Sequence, residues 1–249
     1  MKGVIFHKPN SKDLALEVES FLRSNGFDVE ISERNLESYD FIVVVGGDGT
    51  VLRVLQSLHV CPPIFAINTG RIGLLTHCEP ENYKEKLLKS LESFDVEEFM
   101  RLKCELDGEI LALNEIAIIC SIPAKLVEMK VYVDDVLIDV LRCDGMLIST
   151  PIGSTAYALS IGGPIVDPHL NSILIVPVAP FKLGWKPWVV SESRTVRIEF
   201  DRSVFVVADG QNPLKLNPGE LTVRRSEYPA RFFKLENRIE KIVNRLKEI

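Results

Sequence analysis

The chain has 249 residues, 46% hydrophobic and 26% charged, which is typical of a globular protein with one large or two smaller domains. A formal net charge of -6 argues against the basic surface that a long polyanion needs, so we expect no nucleic-acid partner. The five cysteines are scattered and form no C-x-x-C pair, which argues against a disulfide framework or a zinc site.

The N-terminus has too short an apolar run for a signal peptide, and no segment approaches about 18 consecutive apolar residues. From these features and the unpaired cysteine pattern we expect a cytoplasmic protein with no membrane partner.

The first part of the chain alternates short apolar runs with amphipathic stretches, which is the pattern of an α/β domain. It predicts strands at 3–6, 28–31, 41–45 and 63–67, and helices at 12–24, 50–58 and 80–91. The run at 41–45 is uninterrupted, which indicates a strand buried on both faces and hence a parallel sheet.

From about residue 95 the chain becomes rich in closely spaced strand candidates. These are 102–106, 111–119, 126–133, 136–142, 146–149, 173–176, 195–200, 204–207 and 221–224, with a turn at Asp134 and Asp135. Helical spacing returns at 235–246, a segment expected to pack against the first half or a neighbouring subunit. We predict a Rossmann-like α/β domain at 1–95 plus about 233–249, and a β-rich domain at 96–232.

The most specific local signal is a glycine-rich turn between the strand at 41–45 and the following helix: Gly46, Gly47, Asp48, Gly49 and Thr50. Glycines let backbone N–H groups approach phosphate oxygens at a helix N-terminus, and Thr50 is expected to cap the helix. A carboxylate here repels phosphate unless it accepts a hydroxyl proton or binds a divalent cation, both of which belong to phosphoryl transfer.

Taken alone, a glycine-rich turn of this kind more often indicates a tight strand-to-helix connection with Asp48 in solvent. It is neither a Walker A sequence nor the G-x-G-x-x-G dinucleotide fingerprint. Arg53, one turn into the helix, adds positive charge near the same phosphates or is simply a surface arginine.

A second candidate site is Asn114 and Glu115, which interrupt the apolar run at 111–119. A carboxylate can accept both hydroxyls of a ribose, and an amide both donates and accepts, so the pair suits a nucleoside. An edge strand with its polar side in water would give the same pattern.

The third candidate site lies within residues 142–168, which are dense in small and hydroxylated side chains. Arg142 and Asp144 share one face of an extended stretch. Ser154 is expected to cap a helical turn that presents 155–160 beside a planar ligand. A serine hydrolase is excluded because Gly-x-Ser-x-Gly is absent.

Together these blocks resemble the NAD kinase family, whose pattern joins GGDGT, an Asn-Glu pair and a TPTGSTAY-like segment followed by GGP. GGDGT alone also occurs in lipid kinases, so it is the second and third blocks that distinguish the NAD kinase family from the other GGDGT kinases. Four residues depart from the family pattern, namely Leu74, Ile152 and the pair at 181–182. They affect the prediction of individual substrate contacts and leave the predicted reaction unchanged.

The resemblance implies an active site between the two domains, with Asp48 as catalytic proton acceptor. It implies nucleotide contacts from Gly46, Gly47, Gly49, Thr50, Arg53, Asn114, Glu115, Lys125, Arg142, Asp144, Thr155, Ala156, Tyr157, Ser160, Ala179, Asp209 and Gln211. The metal ligands are not specified.

The implied reaction is phosphorylation of the 2′-hydroxyl of the adenosine ribose of NAD. The implied donor is ATP, another triphosphate or polyphosphate, with Mg²⁺ or another divalent cation. The family also implies a homo-oligomer, either a dimer or a tetramer. Preference between NAD and NADH stays open. The alternatives are a GGDGT-type lipid or sugar kinase and a non-catalytic dinucleotide-binding regulator.

Overall fold

The computed structural model describes residues 1–71, 73–106 and 108–248. The chain divides into two compact units, the first formed by 1–98 and 228–249 and the second by 99–227. None of the helices in the described residues is long and apolar enough to cross a membrane.

The first part of the first unit alternates between strand and α-helix, except for two consecutive strands at Asp28–Ile31 and Phe41–Val45. In chain order the elements are β1 (Lys2–His7), α1 (Lys12–Ser24), β2 (Asp28–Ile31), β3 (Phe41–Val45), α2 (Asp48–Gln56), β4 (Ile64–Ile67), α3 (Tyr83–Ser93) and β5 (Val96–Phe99).

In its described residues the second unit is built mainly from strands, with a 3-10 helix at Ile152–Thr155 and one short α-helix after it. In chain order its elements are β6 (Leu102–Leu106), β7 (Gly108–Ala112), β8 (Glu115–Cys120), β9 (Val127–Val133), β10 (Val136–Cys143), β11 (Gly145–Ser149), α4 (Tyr157–Ser160), β12 (Ser172–Val178), β13 (Trp188–Ser191), β14 (Val196–Phe200), β15 (Val204–Ala208), β16 (Gln211–Leu216) and β17 (Gly219–Arg225). The chain then returns to the first unit through β18 (Ala230–Phe233) and α5 (Arg238–Glu248).

The first unit contains a sheet in the order β2-β1-β3-β4-β18-β5, in which β1 pairs in parallel with both β2 and β3. All five residues of β3 are buried, as the uninterrupted apolar run predicts for a strand covered on both faces. The connection from β1 leads to β2 on one side and later to β3 on the other. In such sheets ligands bind beyond the carboxyl ends of the strands at this switch point, and GGDGT follows β3 there.

The second unit contains two antiparallel sheets, in the orders β10-β9-β14-β17-β6-β7 and β13-β12-β11-β8-β15-β16. Alternate residues of both sheets, such as Val127, Met129 and Val131 on β9 and Ile116 and Ile118 on β8, share one hydrophobic core. This alternation makes the unit a two-sheet sandwich. The predicted fold class, an N-terminal α/β domain followed by a β-rich domain with a returning C-terminal helix, is confirmed.

Several element boundaries differ from the prediction for identifiable reasons. The helix expected at 50–58 begins at Asp48, because Gly47 is the N-cap residue; the prediction that Thr50 caps it is wrong. The strand expected at 111–119 is interrupted between β7 and β8. Four strands were not predicted: β5, β13 and β18 have only four residues each, and β16 carries a proline and is mostly exposed.

Candidate functional site

In the first unit, the turn after β3 brings the glycine-rich segment against a neighbouring loop. A Cβ added to Gly46 would lie 2.4 Å from Oγ1 of Thr50, and one added to Gly47 would lie 3.4 Å from Cα of Gly70. The N–H groups of Thr50 and Val51 donate to the Gly47 carbonyl and start helix α2. Glycine is therefore required at 46 for close packing, and the first N–H groups of the helix face the carboxyl edge of the sheet.

Asp48 is held by backbone N–H groups from a different part of the chain. Leu74 N–H donates to Oδ2 and Leu75 N–H donates to Oδ1, each at 2.9 Å. The turn that supplies them contains Gly73 at φ +67, where a Cβ would lie 2.5 Å from Oγ1 of Thr76. The carboxylate is thereby fixed through both oxygens, although each retains lone pairs for a further partner.

Arg53 lies on the exposed side of α2 beside β1. Its guanidinium is 4.9 Å from the Phe6 ring and 3.9 Å from Oε1 of Glu33. Phe6 pairs with Val44 near the carboxyl end of β1, so Arg53 lies at the edge where GGDGT sits. An exposed ion pair of this length contributes little, which leaves the cation available to a phosphate.

In the second unit, Asn114 and Glu115 lie where the chain passes from β7 to β8, and Asp209 holds this passage. Its Oδ2 accepts from Leu113 N–H at 2.8 Å, and its Oδ1 accepts from the N–H groups of Asn114 at 2.7 Å and Glu115 at 3.2 Å. Asp209 and Gly210 form the two-residue turn between β15 and β16, with φ of 51 and 69. Three N–H bonds use most of the acceptor capacity of the Asp209 carboxylate.

The start of the TPIGSTAY segment packs against the same passage. Thr150 Oγ1 donates to the Leu113 carbonyl at 2.6 Å, and Ser149 Oγ donates to the Asn114 carbonyl at 3.0 Å. A Cβ at Gly153 would lie 2.1 Å from the Asn114 carbonyl oxygen, so only glycine fits there. The second and third motifs are therefore one structural unit.

Glu115 is the least satisfied polar side chain of this group. The residue is 7% exposed, and its buried Oε2 has no hydrogen-bond partner among the described residues. Burial, and secondarily the Asp209 carboxylate, raise the pKa of Glu115 to about 8. Burial raises the pKa of Asp209 to about 6, against the opposing effect of its three N–H donors. A ligand hydroxyl donating to Glu115 would satisfy the orphaned oxygen.

The remaining predicted residues of the second unit fall into two groups. Thr155, Ala156, Tyr157 and Ser160 form or precede α4, whose Ala158 packs on Leu147 and Leu174 of the sheet. Tyr157 is 41% exposed. Ser154 does not cap this helix as predicted, because its hydroxyl bonds to both the N–H and the carbonyl of Val166.

The other group lies at the opposite end of β8 and β11. Asp144 N–H donates to the Val178 carbonyl and Phe181 N–H donates to the Arg142 carbonyl, which brings Arg142, Asp144 and Ala179 together. Glu115 pairs with Ser149 at one end of these two strands, and Ile119 pairs with Gly145 at the other. The group around Asp144 is therefore separated from Glu115 by four residues of strand, or roughly 13 Å. Lys125 is exposed in the β8–β9 loop, and Gln211 follows the Asp209 turn as the first residue of β16.

Among the residues that the structure describes, no group of three or more His, Cys, Asp or Glu side chains is arranged to hold a metal ion. A magnesium ion that is bound largely by substrate phosphates and water needs only one or two protein carboxylates, and Asp48 fits that requirement.

Two family models match the chain. The model of the ATP-NAD kinase N-terminal domain matches residues 4–94, and the model of the ATP-NAD kinase C-terminal domain matches residues 113–235. The chain belongs to the NAD kinase family.

Curated NAD kinases of other organisms agree with this assignment. The NAD kinase of Archaeoglobus fulgidus is 48% identical over 238 residues, covering 96% of this chain and 92% of the relative. The NAD kinase of Thermococcus kodakarensis is 39% identical over 250 residues, covering 91% and 90%. The function inferred from the three motifs, that of an NAD kinase and hence a phosphotransferase, is confirmed.

Solved structures of the family have the same fold. A crystal structure of an NAD kinase from Archaeoglobus fulgidus in complex with ATP covers all of both chains with a TM-score of 0.93 and 44% identity. Yeast NADH kinase complexed with NADH has a TM-score of 0.89 at 22% identity, and that likeness concerns the fold alone.

Proposed function

We propose that this NAD kinase transfers the terminal phosphoryl group of ATP to the 2′-hydroxyl of the adenosine ribose of NAD, with Asp48 accepting the hydroxyl proton. The observation that carries the proposal is the Asp48 carboxylate, fixed by two backbone N–H groups at the switch point of the parallel sheet. A base held in one orientation by its surroundings is what proton abstraction during phosphoryl transfer requires.

The glycine-rich turn and Arg53 serve the donor phosphates in this proposal. Gly47 and Gly49 place backbone N–H groups at the start of α2, where the helix dipole favours an anion, while the N–H groups of Gly46 and Thr50 donate to the carbonyls of Ile67 and Gly47 and hold the turn in shape. Mg²⁺ or another divalent ion would neutralise the charge of the donor phosphates, and Asp48 is the carboxylate that the glycine-rich turn offers to it. ATP is the donor in this proposal, which is supported by the crystal structure of the Archaeoglobus fulgidus relative in complex with ATP.

Asn114 and Glu115 are proposed to bind NAD directly, with Asp209 acting indirectly. The orphaned Glu115 oxygen suits a ribose hydroxyl, whereas the Asp209 carboxylate is occupied by N–H groups of the passage that presents Asn114 and Glu115. Asp209 therefore positions the binding pair. Thr155, Ala156, Tyr157 and Ser160 would contact the dinucleotide along the face of the sheet.

The group at the far end of β8 and β11 would serve the second half of the same dinucleotide. Arg142, Asp144 and Ala179 lie there, and Lys125 and Gln211 are assigned to the NAD site on the family resemblance alone. Two nucleosides joined by a pyrophosphate can reach groups that are separated along a strand. A lipid or sugar kinase has no use for such a pair of sites.

We further propose a cytoplasmic homo-oligomer, either a dimer or a tetramer. Among the described residues none of the five cysteines forms a disulfide bond, which agrees with a reducing compartment. Light scattering of the purified chain measures the oligomeric state, and a monomeric mass at working concentration would contradict that part of the proposal.

The deciding experiment is a coupled assay for NADP formed from NAD, ATP and Mg²⁺. Parallel reactions replace ATP by another triphosphate or polyphosphate, and NAD by NADH, which ranks donors and acceptors directly. NADP formation that saturates with both substrates supports the proposal. A folded protein that binds NAD and forms no NADP with any donor would instead be a dinucleotide-binding regulator.

A further inference from the structure

The C-terminal helix α5 contacts the turn that holds Asp48. Lys241 Nζ donates to the carbonyl of Gly73 at 2.8 Å and to that of Thr76 at 2.5 Å. Arg238 donates to the carbonyl of Leu74 at 3.4 Å, a long and therefore weaker contact, and forms a buried ion pair with Glu97 at 2.5 Å. Two cations of one helix thus meet three carbonyls of one short turn.

These contacts join the helix to Asp48 through single peptide groups. The peptide group between residues 73 and 74 accepts from Lys241 at its carbonyl and donates to Asp48 Oδ2 at its N–H. The next peptide group accepts from Arg238 at its carbonyl and donates to Asp48 Oδ1. Each peptide therefore lies between a cation on one side and a carboxylate oxygen on the other.

This arrangement has two physical consequences. A peptide bonded at both ends cannot rotate without losing both bonds, so the N–H groups stay directed at Asp48. A cation on the carbonyl also polarises the peptide and strengthens the hydrogen bond that its N–H donates. Burial lowers the pKa of Lys241, and the Asp48 carboxylate opposes that shift, in agreement with an attraction between the two groups.

We infer that Lys241, assisted by Arg238, is a positioning residue that fixes the catalytic carboxylate of Asp48 through the peptide groups of residues 73–75. The inference rests on the proposed function, because it needs Asp48 to be the proton acceptor. It assigns the C-terminal helix a role in turnover and not only in the stability of the first unit.

The test compares Lys241→Met with Lys241→Arg, Lys247→Met and Ile242→Ala in the full chain. Methionine keeps the apolar stem and removes the N–H donors, while arginine keeps a cationic donor. Lys247 is exposed on the same helix, and Ile242 is buried in it at 9% exposure without a bond to the turn. All rates are measured well below the lowest unfolding midpoint of the set.

We expect Lys241→Met to lower kcat by about 10- to 100-fold, the scale for misplacing a catalytic group, while KM for NAD changes by less than about threefold. Lys241→Arg should restore most of the rate, and Lys247→Met and Ile242→Ala should keep the wild-type kcat. Wild-type kcat in Lys241→Met, or an equal loss in folded Ile242→Ala, would overturn the inference.

Asp48→Asn separates this inference from the proposed function. If Asp48→Asn is inactive and Lys241→Met is normal, Asp48 remains the base and only the role of the helix is refuted. If Asp48→Asn keeps its turnover, the proposed role of Asp48 as proton acceptor fails, and the inference fails with it.

Discussion

Glu115 gives the sharpest test of the NAD site, because its environment predicts both how much NAD affinity falls when the side chain is removed and how NAD affinity changes with pH. Replacing it by alanine removes a charge-assisted hydrogen bond worth about 1.5 to 3 kcal/mol, so NAD affinity should fall by roughly one to two orders of magnitude. The affinity for the phosphoryl donor should not change, since the donor is assigned to the glycine-rich turn of the first unit.

The pH dependence follows from the raised pKa of Glu115, about 8. If ribose hydroxyls donate to the ionised form, NAD binds more tightly as pH rises through that value. At pH 7 the Glu115 carboxyl would be protonated in about nine molecules in ten. The binding free energy of NAD would then be weaker by roughly 1.4 kcal/mol than at pH 9, which is a factor of about ten in Kd. Asp209, with a pKa of about 6, stays ionised across this range.

The assay is calorimetric titration of NAD at several pH values into wild type, Glu115→Gln and Glu115→Ala. Glutamine has the same shape and no titrating group, so its Kd should be independent of pH between 7 and 9. A wild-type Kd that is flat across this range, or a glutamine variant with the wild-type slope, would refute ionised Glu115 as the acceptor of ribose hydroxyls.

Four other perturbations give separate tests. Asp48→Asn should lower kcat by about 10² to 10⁴ while NAD still binds, and a variant with more than about half of wild-type turnover would exclude the proton-acceptor role. Chelating divalent metal should stop turnover and leave NAD affinity intact in calorimetry; loss of NAD binding would place the ion at the acceptor. Asp209→Asn places an amide group against buried N–H donors, so it should lower the free energy of unfolding by about 1 to 3 kcal/mol, measured by chemical denaturation. The same variant should raise KM for NAD in steady-state kinetics. Burial lowers the pKa of His77 to about 3, so as pH falls below about 6.5 the unfolded chain takes up a proton at this residue and the folded chain does not. The free energy of unfolding of wild type should therefore fall by about 2 kcal/mol more than that of His77→Gln between pH 7 and 5. Chemical denaturation at the two pH values measures this difference, and an equal change in both proteins would contradict it.

The parts of the molecule that the sequence predicted are those set by neighbouring residues. The apolar run of β3 followed by Gly46 and Gly47 defined a buried strand, a turn and a helix start within ten residues. The turn at Asp134 and Asp135, with φ of 48 and 66, is another local feature, because few residue types other than glycine accept that conformation.

The parts that were missed depend on contacts between distant segments. Asp48 receives its N–H donors from residues 26 and 27 positions away, and Asp209 lies 96 positions from Leu113. The contact between Lys241 and Gly73 spans 168 positions. Hydrophobic periodicity carries no information on such pairs, so motif matching identified Asp48 without identifying what holds it.

Three carboxylates of the two sites, Asp48, Glu115 and Asp209, show how environment separates the roles of side chains with the same chemistry. Both oxygens of Asp48 and of Asp209 accept backbone N–H groups, so these two side chains have fixed positions before any substrate arrives. Glu115 keeps a buried oxygen with no partner in the described chain, at a cost in folding free energy that a bound donor would recover. Substituting Asp209 should therefore destabilise the protein itself, whereas substituting Glu115 should remove an unfavourable burial and leave a stable protein that binds NAD weakly.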